Sequence, residues 1–215
     1  MQQDADDLTE FLAAVVEISH ARGSHEVQIV LMGHSTGCQD IVMLMGRSEM
    51  KNYKISGLIL QGAVSDREAF DAAVEANPRL KDLREEIATI AMHMQPDEFL
   101  PRRASLLVGR EGDPITAGRF MSLNGKQTVD DIFSSDLTVE YFKKRLGHIV
   151  CPVLLLLSGA DEYYPSGVSA GVAGEKIASG FGAEVRMEVV EKANHFLFGH
   201  ELGLCEIVTD FLKTV

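Results

Sequence analysis

The chain has 215 residues, 46% of them hydrophobic and 24% charged, with a formal net charge of −12. This is enough apolar material for a sizeable globular core, and too little polar bias for a disordered chain. The acidic balance argues against nucleic acid and against an anionic membrane surface as partners.

The first seven residues are polar and acidic, with no basic or apolar stretch, so a signal peptide is not expected. Leu8, Phe11, Leu12, Val15, Val16 and Ile18 recur at helical spacing and predict an amphipathic helix ending near Gly23. Asp6 and Asp7 suit the positive end of its dipole. Val27–Met32 is rich in β-branched residues and predicts a strand, followed by helical character over Cys38–Met45. Ile55–Leu60 predicts a second strand. Arg67–Met94 then reads as helical, with Pro78 as a break or a new start. Pro96–Pro101 is a turn-rich joint, and Leu106–Asn124 is interrupted by Gly109, Gly112, Pro114 and Gly118. Val139–Leu146 is helical again, and Val153–Leu157 and Val185–Val190 predict the last two strands.

Short, near-continuous apolar strands alternating with helices predict a parallel sheet covered on both faces. Residues 1–65 and 149–215 then form the core, and 66–148 is an insertion expected to act as a cap or lid. The longest purely apolar run, Val153–Leu157, is far shorter than the ~20 residues that span a bilayer. Cys38, Cys151 and Cys205 suggest neither a disulfide framework nor a metal site, and a reducing, cytoplasmic location fits them best. No cofactor is implied.

Gly33-His34-Ser35-Thr36-Gly37 matches G-x-S-x-G. The pentapeptide alone is a weak signal, but here it lies between a predicted strand and a predicted helix. That context defines a nucleophile elbow. Ser35 would sit at the tip of a sharp turn, with Gly33 and Gly37 allowing close approach of strand and helix. The amide of Thr36, at the new helix's N-terminus, would point where an oxyanion forms.

A serine hydroxyl needs a base. Among His20, His25, His34, His93, His148, His195 and His200, the position of His195 stands out, just after the last strand. His34 lies inside the elbow and is expected to point away from the hydroxyl. The acid that orients the imidazole is expected to be Asp161, after the third strand, with Asp66 and Glu162 as rivals. The chain order Ser35, Asp161, His195 is that of elbow-type hydrolases.

Several stretches together resemble a known family. They are Gly33–Asp40, Gln61–Ala69, Asp130–Leu137, Ser158–Tyr163 and Ala193–His195. The chain resembles the fungal α/β-hydrolases that include siderophore ester hydrolases, and the Phe-Ser-Ser-Asp stretch at Phe133–Asp136 is the more particular to that group. The resemblance implies an α/β-hydrolase fold with a helical cap, and cleavage of esters in fusarinine-type siderophores in the cytoplasm.

The sequence departs from this pattern ahead of the elbow. Only one helix precedes the elbow strand, so the N-terminal strands of the fold are expected to be missing. Truncation of a longer chain is the favoured explanation; if the short form is native, the strand's open outer edge is expected to pair with another chain, as in a homodimer. An HGGG-type loop for the second oxyanion donor is also missing, and losing one donor typically costs ~10²–10³ in rate. The expected activity is ester hydrolysis of a small molecule through an acyl-enzyme on Ser35. A non-catalytic binding protein on a hydrolase scaffold and an acyltransferase using the same triad are the alternatives.

Overall fold

The computed structural model describes residues 2–24, 26–107 and 112–215. His25 and Gly109 fall outside the described residues. Four parallel strands form one sheet in the order β1-β2-β3-β4: β1 Ile29–His34, β2 Ile55–Gln61, β3 Val153–Ser158 and β4 Val185–Val190. The second and third strands are the most apolar and the most buried; every residue of β3 is inaccessible to solvent. All six residues of β4 are only half-buried, as suits an edge strand. Among the described residues, β1 pairs with β2 alone. The strand starts two residues later than its sequence suggests, because the ladder opens at the Ile29–Ile55 pair. Val27 packs instead beside Leu12 of α1 (Gln2–Ala21).

Two compact units divide the chain. The first comprises Met1–Ala63, Leu137–Glu162 and Ser169–Val215, and the second Val64–Asp136 with Tyr163–Val168. In the first unit, Ile29 and Leu31 of β1 pack with Leu12 of α1 and Leu44 of α2 (Thr36–Met45). Val30 points to the opposite face, where Ile59, Leu154 and Phe211 of α8 (Glu201–Leu212) cluster. Helices therefore cover both faces of the sheet. The helix α7 (Ala170–Ala178) approaches β3 so closely that a Cβ on Gly174 would meet Leu157 at 2.4 Å. The helix α6 (Val139–Leu146) buries Phe142 and Leu146 in this unit, with Phe142 against Gly180 just beyond α7. That packing places α6 with the first compact unit, whose middle segment is Leu137–Glu162.

The second unit holds α3 (Asp66–Ala76), α4 (Pro78–Ala91), a 3-10 turn at Arg102–Leu107 and α5 (Ala117–Asn124). Pro78 splits the long helical stretch. Asn77 leaves helical geometry, accepts the Arg79 amide on its side chain, and lets proline open α4 where no amide donor is needed. Phe70, Ile87, Ala104 and Phe120 form its apolar centre.

A polar network fastens the start of α3 to the 130–136 segment. Arg67 is almost fully buried and donates from Nε to Asp131 (3.2 Å) and from a terminal nitrogen to Asp136. Glu68 accepts the amide of Ser135 (2.8 Å) and its hydroxyl (2.7 Å). Ser65 caps α3 by accepting the Glu68 amide, and its hydroxyl also bonds Ser134. Two stretches that carry the family resemblance are thus bonded to each other.

Candidate active site

The turn between β1 and α2 has the geometry that G-x-S-x-G demands. Ser35 adopts φ 56° and ψ −125°, a conformation that costs a non-glycine residue on the order of 1–3 kcal/mol. Its amide donates to the carbonyl of Gln61 at the end of β2 (2.9 Å), and its carbonyl accepts the Cys38 amide (2.9 Å). Gly33 is sterically required: a Cβ there would lie 2.4 Å from the carbonyl oxygen of Gly37. Gly37 is not required in that sense, since a Cβ on it meets nothing within 4 Å. Thr36 is the first residue of α2, so its amide has no intrahelical acceptor.

Cys38 lies inside this turn with its thiol fully buried, its single S–H within reach of the carbonyls of Gly33 (3.3 Å) and Gln61 (3.2 Å). Burial pushes the thiol far above its usual range, outweighing the hydrogen bond to Gln61. It is a packing group and not a second nucleophile.

Beyond the ends of β3 and β4, two loops are joined by backbone bonds. Gly159 donates to Val190 and Ala160 to Ala193, each at 2.9 Å. Asp161 and His195 hang from these loops. Nδ1 of His195 lies 2.8 Å from Oδ2 of Asp161, and both side chains are essentially inaccessible to solvent. Of the rival acids, Glu162 accepts the backbone amide of His195 (2.9 Å), not its ring. Asp66 is the first residue of α3, in the second unit.

Three neighbours of His195 carried no sequence signal for this contact. His34 Nε2 lies 3.2 Å from the His195 carbonyl oxygen, and the two rings are 4.7 Å apart. Glu162 is the second. Gly62, at φ +60°, is the third; a Cβ there would stand 3.1 Å from His195 Cε1. Ser35 is the next residue after His34, so the elbow and the histidine loop adjoin. Among the described residues, no group of three or more His, Cys, Asp or Glu side chains is arranged to hold a metal ion. No described helix is long and apolar enough to cross a membrane.

A parallel sheet covered by helices on both faces, with a strained serine between strand and helix, defines an α/β-hydrolase fold. The chain belongs to the family described as "Protein of unknown function (DUF1749)", whose model matches residues 1–195. It is 31% identical over 175 residues to UPF0613 protein PB24D3.06c of Schizosaccharomyces pombe, covering 76% of this chain and 53% of that protein. It is 30% identical over 178 residues to fusarinine C esterase sidJ of Aspergillus fumigatus, covering 66% of this chain and 50% of that one. Among solved structures, siderophore hydrolase EstB from Aspergillus fumigatus superposes with a TM-score of 0.78 at 25% identity, covering 98% of this chain and 75% of EstB. The chain therefore spans about half the length of the curated relatives it matches.

Proposed function

We propose that this chain carries the catalytic residues of a serine esterase acting on a siderophore-type ester or a related secondary metabolite. The observation that supports this most directly is the buried 2.8 Å contact between His195 Nδ1 and Asp161. It occurs beside an elbow whose serine is held in a strained conformation. Asp161 fixes the tautomer that carries hydrogen on Nδ1, which leaves Nε2 as the basic nitrogen. In the proposed cycle, Ser35 Oγ attacks the ester carbonyl as its proton passes to His195 Nε2. The tetrahedral oxyanion is met by the Thr36 amide. Collapse breaks the carbonyl–alkoxy bond, and the alcohol leaves with the proton from His195. Water then repeats the sequence on the acyl-enzyme and frees the acid.

The second unit carries none of these groups, and its proposed role is that of a cap selecting the substrate. Three cysteines without a disulfide suit a reducing compartment, the basis for proposing a cytoplasmic site of action. If the short form is native, the edge of β1 left unpaired among the described residues is the basis for proposing a homodimer there. A monodisperse monomer in sedimentation velocity would overturn that part.

The test is incubation with a fusarinine-type ester and with p-nitrophenyl butyrate, reading products by mass. The proposal expects free acid and alcohol, and none with Ser35→Ala. Acyl transfer to an added alcohol in preference to water would redirect the assignment to a transferase.

A further inference from the structure

We infer that His34 and Glu162 are positioning residues that hold the proposed base through its peptide groups, while Asp161 holds its ring. The inference rests on the serine-esterase reading of Ser35, Asp161 and His195. A hydrogen bond to Nδ1 sets the tautomer and the ring's rotation, but it does not by itself fix where the histidine's backbone stands. Here the backbone is held on both sides. Glu162 Oε2 accepts the His195 N–H at 2.9 Å, and His34 Nε2 approaches the His195 carbonyl oxygen at 3.2 Å. A carbonyl oxygen only accepts, so Nε2 of His34 carries the hydrogen.

The loop needs such holding. Lys192 at φ 59° and Leu197 at φ 55° flank His195, both in the left-handed region that side chains disfavour. A strained loop at the end of an edge strand relaxes unless its neighbours over-determine it. Chain position gives the two contacts their meaning. His34 directly precedes Ser35, and Glu162 directly follows Asp161. Each clamp residue is therefore the covalent neighbour of another member of the triad. A shift of His195 relative to the nucleophile or the acid must break one of these bonds. Displacement of a base by about 1 Å is enough to lower rates by about a hundredfold, so a clamp on position acts on turnover.

Ring contact and hydrogen bonding by His34 are separable. His34→Phe keeps an aromatic ring against His195 and Phe196 but removes the donor. His34→Gln keeps a donor at similar reach without the ring. Likewise Glu162→Ala removes the acceptor and Glu162→Gln retains one. The experiment measures p-nitrophenyl butyrate turnover by the full chain, with circular dichroism as the check on folding. It also follows the low-field proton signal of His195 Nδ1–H, which needs no turnover. His34→Phe and Glu162→Ala are expected to lower kcat about tenfold each with KM within about twofold, as for loss of one well-placed hydrogen bond. Their low-field signal broadens through exchange with water. Both glutamine variants recover most of kcat and the sharp signal. The double variant His34→Phe/Glu162→Ala loses less than the product of the two, because both act on one residue.

Folded His34→Phe and Glu162→Ala proteins with unchanged kcat and an unchanged signal would overturn the inference. So would glutamine variants as impaired as the others. Were the phenylalanine and alanine variants unfolded, the glutamine variants would decide: parental kcat and signal support the clamp, and their loss overturns it. Ester turnover that persists in Ser35→Ala would instead overturn the reading of Ser35 as the nucleophile, while the proton signal still reports on the clamp.

Discussion

Gly62 leaves no room for a side chain beside the His195 imidazole: a Cβ built on it would stand 3.1 Å from Cε1 and 3.3 Å from Nδ1. The glycine also sits at φ +60°, where an alanine is strained in any surroundings. Gly62→Ala is therefore expected to lower stability by about 1–3 kcal/mol and to push the imidazole off its position. Thermal melting and p-nitrophenyl ester turnover check the two parts. Gly33→Ala is expected to be worse for folding, because its Cβ meets the Gly37 backbone, which has no side chain to yield.

Asp161→Asn preserves shape but removes the charge that favours hydrogen on Nδ1. Turnover is expected to fall by about 10³–10⁴-fold with melting little changed, as for loss of the orienting acid in a serine triad. The same substitution at Glu162 keeps an acceptor shorter by one methylene and is expected to have a far smaller effect. A comparable loss at both positions would mean that the ring contact with Asp161 is not the orienting one.

In the second unit, Arg67 is the cation beside the fully buried carboxylate of Asp131. Arg67→Met removes it, and the expected destabilisation is about 3 kcal/mol, the lower part of the range for breaking a buried pair. The Ser134 hydroxyl and the Gln127 amide still donate to Asp131, which limits the loss. Melting of the variant in urea, read against the parent, checks this.

Asp136 gives the same network a pH dependence. Burial pushes its carboxyl up, but hydrogen bonds and charge from Lys126 and Arg67 outweigh burial and hold it below the usual range. A carboxyl depressed in the folded state contributes stability above its unfolded value, about 3.9, and loses it as pH falls through the lower folded value. The side chain is 43% exposed, so the effect is modest. Asp136→Asn is expected to flatten the fall of melting temperature below about pH 4.

Alkylation with iodoacetamide separates Cys205 from Cys38. Cys205 is exposed and is expected to react in the native protein, whereas Cys38 reacts only on unfolding. Rapid native labelling of Cys38 would contradict its placement inside the elbow.

How much of this was legible in the sequence differs from element to element. Val139–Leu146 and Val185–Val190 were read to the residue. The helix has Thr138 as an N-cap and Gly147 at its end, and the strand lies between polar turns. The split at Pro78 follows from the missing amide donor. The offset of β1 was not legible, because Val27 is as β-prone as Ile29 and only pairing with β2 decides where the ladder begins. Ser35, Asp161 and His195 were legible as candidates because elbow, strand ends and chain order coincide. The contacts of His34 and Glu162 with His195 were not. They join residues 161 and 33 positions apart and end on backbone atoms, for which no residue type at position 195 is a signal. Gly62 is legible only as a glycine closing a strand; its place beside His195 is set by the fold alone.

The most direct test of the central claim is intact mass after treatment with a fluorophosphonate, on the parent chain and on Ser35→Ala, both shown to be folded by circular dichroism. A single adduct on the parent and none on Ser35→Ala is the predicted result. A folded parent that takes no adduct, or a Ser35→Ala protein that still takes one, would contradict the assignment of Ser35 as the nucleophile.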